Sequence, residues 1–245
     1  MRGFLLSLIV LFSFSAGARN YVINVSESLD NSMAGKHLEK YLTMAYQKVG
    51  ITPEFTYYPS GRGLQKVASG ELDADAGRLP PVMESYSGVI RVDEPLGEVR
   101  FGLFCLEDRE CRAVEGAFYG RQSGSEMSQL VCTDNNLACI PVARTYDLAK
   151  LLEALRVSAL LLPLHNAPEV LCQLNRKEVF YKTFPAYSFF SYHYLSNKNS
   201  ELTPSLTAAI RDIKKNVDMT AILGNNWKTR LNACQVLLEE SKSVS

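Results

Sequence analysis

The chain has 245 residues, its 26 lysine and arginine side chains equal its 26 aspartate and glutamate side chains in number, and 47% of its residues are hydrophobic. This length is sufficient for one or two hydrophobic cores. The balanced charge argues against a nucleic-acid partner and against electrostatic attachment to a membrane, because both require a clustered basic field.

Residues 1–18 have the three-part pattern of a secretory signal peptide. Arg2 begins it, an apolar run covers residues 4–14, and Ala16-Gly17-Ala18 is a small-residue cleavage site. The run is shorter than the roughly 20 residues that a transmembrane helix needs. We therefore expect export to the periplasm as a soluble protein without stable membrane insertion, with 25 basic against 26 acidic side chains after cleavage.

Six cysteines follow the signal peptide, and an even number in an exported chain favours disulfides. Fifteen pairings are open, and the alternative is that some of these cysteines are buried thiols. Short loops favour pairing each of the first four with its neighbour, which leaves the last two for each other. The predicted pairs are Cys105–Cys111, Cys132–Cys139 and Cys172–Cys234. Without C-x-x-C spacing or paired histidines, we expect no metal site and no cofactor.

The first third of the chain predicts strands at residues 21–25 and 54–58, with an amphipathic helix from Met33 to Val49 between them. Glu27 lies in the polar loop after the first strand. This loop could form a wall of a ligand site, or it could be an ordinary solvated loop before the helix. His37 belongs to the apolar stripe of the helix and is expected to pack there.

Residues 59–78 predict one βαβ unit, with a short helix at 63–69, a glycine stop and a strand at 72–78. Ligands of open parallel sheets bind beyond the carboxyl ends of the strands. Arg62 and Arg78 lie near two such ends, so they are the first candidates for contact with a ligand. Tyr86 follows in a short polar segment.

Two long apolar runs, at residues 99–106 and 189–195, are predicted to be paired crossings between two domains. The glycine-rich turn at 120–125, which contains Ser123, could bind an anion at a helix N-terminus or could simply be a tight turn with an N-cap. His165 follows a predicted buried strand at 157–164, where it could lie in a ligand loop or cap the helix near Pro168.

The remaining predictions concern the last part of the chain. His193 is expected to be structural. Thr203-Pro204 predicts the start of a helix with an inward-facing apolar stripe. Gly224 is expected to end a further short helix, and Trp227 is expected to pack against the first domain.

The order of several segments resembles bacterial extracellular solute-binding proteins of family 3, the periplasmic receptors of polar amino acid ABC transporters. These segments are residues 70–74, 192–195 and 202–206, within a resemblance that covers most of residues 20–228. A subset of the family has a proline, a small residue and an arginine before the helix, followed by Asp-x-Asp-x-x-Arg. The matching residues here are Pro59, Ser60, Arg62, Asp73, Asp75 and Arg78.

The resemblance implies an α/β, two-lobe periplasmic-binding-protein-like fold of type II, with two open sheets flanked by helices and a ligand cleft between the lobes. It implies a first lobe from residues 19–103 and 192–245 and an inserted second lobe from residues 104–191. A small polar or acidic, amino-acid-like solute would be captured by lobe closure and delivered to an ABC permease by a monomer. Arginine would hold a carboxylate through charge-assisted hydrogen bonds.

Two departures bear on the ligand. The Thr-x-x-Arg segment with which amino-acid binders grip the α-carboxylate is replaced by Arg-Leu-Pro-Pro at residues 78–81. Ser158 stands where the second lobe often has an aspartate for the α-amine. The ligand could therefore be another acid or a peptide fragment, or there could be none.

Three functions compete. The first is a receptor without catalysis, the second is a sensory or accessory protein of the same fold that binds a protein partner, and the third is an exported enzyme. An enzyme would require a nucleophile with a base, or paired carboxylates, and no such motif is present, so we expect no catalysis. The predicted ligand contacts are Glu27, Arg62, Arg78 and Tyr86 from the first lobe, with Ser123 and His165 from the second.

Overall fold

The computed structural model describes residues 20–30, 32–112, 114–216 and 226–242. The predicted signal peptide and the predicted stop at Gly224 lie outside the described residues. Among the described residues, no helix combines the length and the apolar character needed to cross a bilayer.

The strands are numbered in chain order. They are β1 (Tyr21–Ser26), β2 (Pro53–Tyr58), β3 (Ala74–Arg78), β4 (Val89–Arg91), β5 (Gly97–Cys105), β6 (Phe118–Gln122), β7 (Ala138–Val142), β8 (Ala159–Pro163), β9 (Glu178–Ser196) and β10 (Leu237–Glu240). The helices are α1 (Met33–Lys48), α2 (Ser60–Ala68), α3 (Pro80–Met83), α4 (Glu126–Asp134), α5 (Thr145–Glu153), α6 (Ala167–Leu171), α7 (Thr203–Asn216) and α8 (Trp227–Ala233).

The first sheet has parallel strands in the order β2-β1-β3, and the last residues of β9 pair antiparallel with β3 and β4. Helices α1 and α7 cover it through buried side chains such as Leu42, Leu206 and Ile210. The side chain of Ser32 accepts a hydrogen bond from the Gly35 amide at 2.9 Å and so caps α1 where the sequence changes from loop to apolar stripe.

The second sheet has β8, β6 and β7 in parallel, and β5 pairs antiparallel with β8 and with β9. Its strand β8 is buried along its whole length, as expected for a near-continuous apolar run in a parallel sheet. One face packs against α5, α6 and α8, with Leu152, Leu160 and Leu171 among the buried residues. The other face packs against α4 through Met127 and Val131.

The two sheets are connected through β5 and β9, which pair as predicted near Val99, although residues 102–105 lie opposite residues 180–183 and not opposite 189–195. Val99 lies opposite Phe189, and Gly97 lies opposite Ser191. Strand β9 begins at Glu178, eleven residues before the predicted crossing at 189–195. The prediction was too short because residues 178–188 mix polar side chains with Pro185. Residues 178–183 are extended through pairing with β5 and β10, which are distant in sequence.

The end of the described chain corrects another prediction. Residues 226–242 were expected in the first lobe, but Trp227 packs against Phe104 and Tyr181 of the second sheet, with ring centroids 5.9 Å and 5.6 Å away. Strand β10 also pairs in parallel with the beginning of β9. The disulfide between Cys172 and Cys234 and this backbone ladder hold the segment there, and the ladder cannot be read from local sequence. The lobe limits at residues 103/104 and 191/192 stay a prediction.

The disulfide pattern agrees with the sequence prediction. The three bonds join Cys105 to Cys111, Cys132 to Cys139, and Cys172 to Cys234, with Cα–Cα distances of 5.5, 6.1 and 5.6 Å. These distances lie in the ordinary range for a disulfide.

Helix α2 begins at Ser60, three residues before the prediction, because Pro59 and not Gly61 ends the extended chain.

Candidate functional site

Four parallel strands from the two sheets end at one cavity of about 180 Å³. Ser26 ends β1, Arg78 ends β3, Gln122 ends β6 and Pro163 ends β8, and all four line the cavity. The carboxyl edge of a parallel sheet is the usual place for a ligand, because strands end there and loops diverge. The cavity is smaller than the roughly 300 to 1,000 Å³ of drug-sized sites, so it suits a small molecule.

The walls of the cavity are mainly apolar and come from both sheets. Leu79, Val82 and Leu96 contribute from one side, and Phe101 and Met127 from the other. Phe101 and Met127 are buried, so their positions are set by the core of the second sheet. Apolar walls with a few polar groups are typical of small-molecule sites.

Arg78 lines the cavity, but its guanidinium group is paired with Asp75. Arg78 Nε lies 2.9 Å from Asp75 Oδ1, and Arg78 Nη2 donates to Asp75 Oδ2 at 3.0 Å. Asn24 also donates to Asp75 Oδ2, at 2.6 Å. The Asp75 side chain is 1% exposed and that of Arg78 is 10% exposed, so the pair is fixed in the wall.

Gln122 and Glu126 connect the two sides of the cavity. Gln122 Nε2, at the end of β6, donates to the Ser28 carbonyl oxygen at 3.2 Å, in the loop after β1. A methyl group at Gly61 would lie 3.4 Å from Glu126 Oε1 and 3.5 Å from the Tyr86 hydroxyl, so these groups meet at the first turn of α2. Burial, followed by the Glu126 carboxylate, raises the pKa of Tyr86.

His165 lines the cavity in the turn that follows β8. Burial, assisted by the positive charge of Arg230, lowers the pKa of His165 to about 4. The imidazole is therefore neutral at pH 7. Arg230 Nη1 also donates to the His165 carbonyl oxygen at 3.4 Å and ties this turn to α8.

The structure brings Arg78 and His165 together in the cavity and places the other predicted contacts around it. Glu27 and Ser123 line an outer depression of about 440 Å³, which adjoins the cavity because both include Ser28 and Gln122. Arg62 lines neither space and lies over the Tyr58 ring at 5.6 Å.

Tyr86 lines a separate groove beside β4 and reaches the cavity region only through its contact with Glu126. The sequence prediction missed two polar residues that line the cavity, Gln122 and Glu126. Gln122 lies within the predicted turn at 120–125 and Glu126 directly follows it, whereas the prediction selected Ser123. Gln122 is the last residue of β6, and a polar side chain at the carboxyl end of a parallel strand is the signal that could have identified it.

Several solved structures have the same fold as this chain, including the following three. The BvgS VFT2 domain of Bordetella pertussis is 10% identical with a TM-score of 0.64, covering 84% of this chain and 92% of that one. An amino acid ABC transporter substrate-binding protein, AbpA, from Streptococcus pneumoniae bound to L-arginine is 12% identical with a TM-score of 0.60, covering 86% and 96%. The GluR0 ligand-binding core from Nostoc punctiforme in complex with L-glutamate is 11% identical with a TM-score of 0.60, covering 87% and 98%.

No protein-family model matches the chain. A search of curated proteins also finds no significant match. At these identities, the structural likeness establishes the fold and not the ligand. The chain has the two-lobe Venus flytrap fold of periplasmic-binding domains, as the sequence predicted.

Proposed function

We propose that this chain is an exported solute-binding protein of the periplasm that encloses a small molecule between its lobes and passes it to an ABC permease. The observation that carries the proposal is the cavity at which β1 and β3 of one sheet and β6 and β8 of the other all end. No catalytic step is part of the proposal.

Two structural neighbours support the proposed solute-binding function. AbpA is an amino acid ABC transporter substrate-binding protein bound to L-arginine, and the Nostoc core binds L-glutamate. The sequence predicted a polar or acidic, amino-acid-like solute for this chain with Arg78 as its anchor. The contact of Arg78 with Asp75 argues against that anchor.

The proposal is tested by a thermal-shift screen of the protein without residues 1–18, against amino acids, organic acids, short peptides, sugars and uncharged alcohols. A ligand at 100 times its Kd stabilises the folded state by about 2.7 kcal/mol. A solute that raises Tm and stays chemically unchanged supports the receptor. Turnover of the solute contradicts the non-enzymatic reading.

The second candidate is a sensory or accessory protein that binds another protein. The chain's own groups meet across the cleft: Gln122 donates to the Ser28 carbonyl oxygen, and Glu126 and the Tyr86 hydroxyl both lie beside Gly61. The likeness to the BvgS VFT2 domain is compatible with this candidate. A protein that is closed in solution by small-angle X-ray scattering, and unchanged by every solute in the screen, favours it over the receptor.

A further inference from the structure

We propose that the cavity takes an uncharged, mainly apolar small molecule that carries a hydrogen-bond donor, and not an amino acid or an organic acid. This inference rests on the proposed function, because it assigns the ligand class of the same cavity. It follows from the state of each charged side chain in the walls. Among the described residues that line the cavity, the ionisable ones are Arg78, Glu126 and His165.

The positive charge of Arg78 is already balanced. Arg78 Nη2 donates to Asp75 Oδ2 at 3.0 Å, and Asp75 Oδ1 lies 2.9 Å from Nε, which is buried and makes no hydrogen bond among the described residues. A carboxylate brought to the remaining edge would also meet the buried charge of Asp75. Burying an anion stabilises a complex only when an unshared opposite charge and hydrogen bonds compensate for the lost water.

The negative charge of Glu126 is likewise engaged. It lies beside the Tyr86 hydroxyl and the first turn of α2, and it is itself the first residue of α4. Helix N-termini stabilise a carboxylate. A cationic ligand would have to replace these contacts, so Glu126 does not favour an amine over an uncharged molecule.

His165 adds no charge at neutral pH, because burial keeps its imidazole unprotonated. Asn166, which follows it, lines the cavity and has a buried Oδ1 atom without a hydrogen-bond partner among the described residues. A hydroxyl or amide N–H on the ligand would satisfy this acceptor. The apolar walls formed by residues such as Leu79, Phe101 and Met127 favour a hydrophobic body for the rest of the molecule.

The test uses three probes that share one apolar ring and differ in charge: benzyl alcohol, benzoate and benzylamine. Methionine methyl groups labelled with ¹³C report binding, because Met127 lines the cavity and Met44 lies on α1 away from it. We expect benzyl alcohol to shift the Met127 signal saturably and the Met44 signal not at all. Its Kd should be at least about tenfold lower than those of the two charged probes.

A charged probe that binds as tightly as benzyl alcohol contradicts the inference and leaves the proposed receptor function standing. If benzyl alcohol does not shift Met127 up to its solubility limit, the ligand class is wrong, and the thermal screen then decides the proposed function separately. The Met127→Leu variant assigns the signal.

Asp75→Asn provides a second, independent measurement. It keeps the shape of the side chain and removes the charge that balances Arg78, so benzoate should bind at least about tenfold more tightly while benzyl alcohol changes little. The matched control is Asp93→Asn, because Asp93 is 68% exposed and pairs with Arg91 away from the cavity. If benzoate gains nothing in a folded Asp75→Asn protein, charge balance at Arg78 is not what excludes anions. If this variant does not fold, the probes on the parent protein still decide the inference.

Discussion

His193 is an ionisable side chain whose role is set by burial. It is 0% exposed on β9, with Nδ1 3.2 Å from the Ala76 carbonyl oxygen and Nε2 2.7 Å from the Tyr46 hydroxyl. Since a carbonyl oxygen only accepts, Nδ1 carries the hydrogen of the neutral ring, and Nε2 faces the Tyr46 hydroxyl, which also lies 3.2 Å from the Tyr21 hydroxyl. Burial lowers the pKa of His193 to about 4. The prediction of a structural histidine is consistent with this network.

This burial predicts an acid-sensitive fold. The unfolded chain protonates His193 near pH 6.5 and the folded protein only near pH 4, so stability is fully present above pH 6.5 and is lost as pH falls toward 4. Between pH 7 and pH 5, this residue should remove about 2 kcal/mol from the free energy of unfolding. Urea denaturation of the parent and of His193→Gln at the two pH values measures it, because His165 titrates over the same range and contributes to both proteins.

The control for this prediction is a pair of variants. His193→Gln should be less stable than the parent at pH 7 by about 1 to 3 kcal/mol, because hydrogen bonds are lost. Its free energy of unfolding should change less between pH 7 and pH 5 than that of the parent. His37→Gln, at a partly exposed position on α1, should retain the dependence of the parent. An unchanged pH dependence in His193→Gln contradicts the assignment.

Gly88 provides a second prediction at the residue scale. Its φ is +84°, and a Cβ atom there would lie well inside the van der Waals distance of the Ala68 carbonyl oxygen at the end of α2. Gly116 has a similar φ of +79° with nothing within 4 Å. Gly88→Ala should cost about 3 kcal/mol or more, against about 1 kcal/mol for Gly116→Ala. Equal costs in urea denaturation would mean that the turn before β4 moves to relieve the contact.

At the scale of elements, the end segment 226–242 is attached to the second sheet in three ways. Trp227 packs between aromatic rings of β5 and β9, β10 extends the sheet, and Cys234 is bonded to Cys172 beyond α6. This disulfide spans 62 residues, whereas Cys132–Cys139 spans seven. The two bonds therefore constrain the unfolded chain to different extents.

The loop lengths predict unequal effects of removing the two disulfides. In the chain-entropy description, replacing Cys172 and Cys234 by alanine should lower the free energy of unfolding by about 4 kcal/mol, against about 2.5 kcal/mol for Cys132 and Cys139. Both double variants are compared by urea denaturation under oxidising conditions. A larger loss for the short loop contradicts the entropic explanation and points to local packing around Cys132, which is itself buried.

At the scale of the whole molecule, the lobes meet through side chains that come from the edges of two sheets. Gln122 bridges to the Ser28 carbonyl oxygen at 3.2 Å, and β5 and β9 provide the continuous connection beneath it. Closure and opening of such a molecule would change the contacts of Gln122 and Glu126 while leaving both cores intact. Under the proposed function, the equilibrium between an open and a closed form would therefore be sensitive to single hydrogen bonds.

Gln122→Ala should shift this equilibrium toward the open form. Loss of a hydrogen bond of about 1 kcal/mol changes the ratio of closed to open molecules by about fivefold. Small-angle X-ray scattering of the ligand-free protein should then give a larger radius of gyration than for the parent. Gln129→Ala, on an exposed position of α4, is the matched control. The same radius of gyration in Gln122→Ala and the parent would mean that this bond does not hold the lobes together.

The sequence by itself determined the local elements and much of their pairing. Periodicity identified α1, β1 and β2, and short cysteine spacing identified two disulfides, because these features depend on neighbouring residues. The order of segments from 59 to 78 also predicted that Arg78 would lie at a strand end. Glu27, Arg62, Tyr86 and Ser123 remain predictions of ligand contact, and the structure places them outside the cavity at which the four strands end.

Only the tertiary structure decided which charged side chains pair and against which sheet the end of the described chain packs. The partner of Arg78 is three residues away in sequence, yet the pairing depends on Asn24 and on burial between β1 and the end of β9, which no local pattern encodes. The position of Trp227 depends on a ladder with β9 and a disulfide that joins residues 62 apart. Long-range contacts set these features because the free energy of burying a charge or an aromatic ring depends on everything that surrounds it.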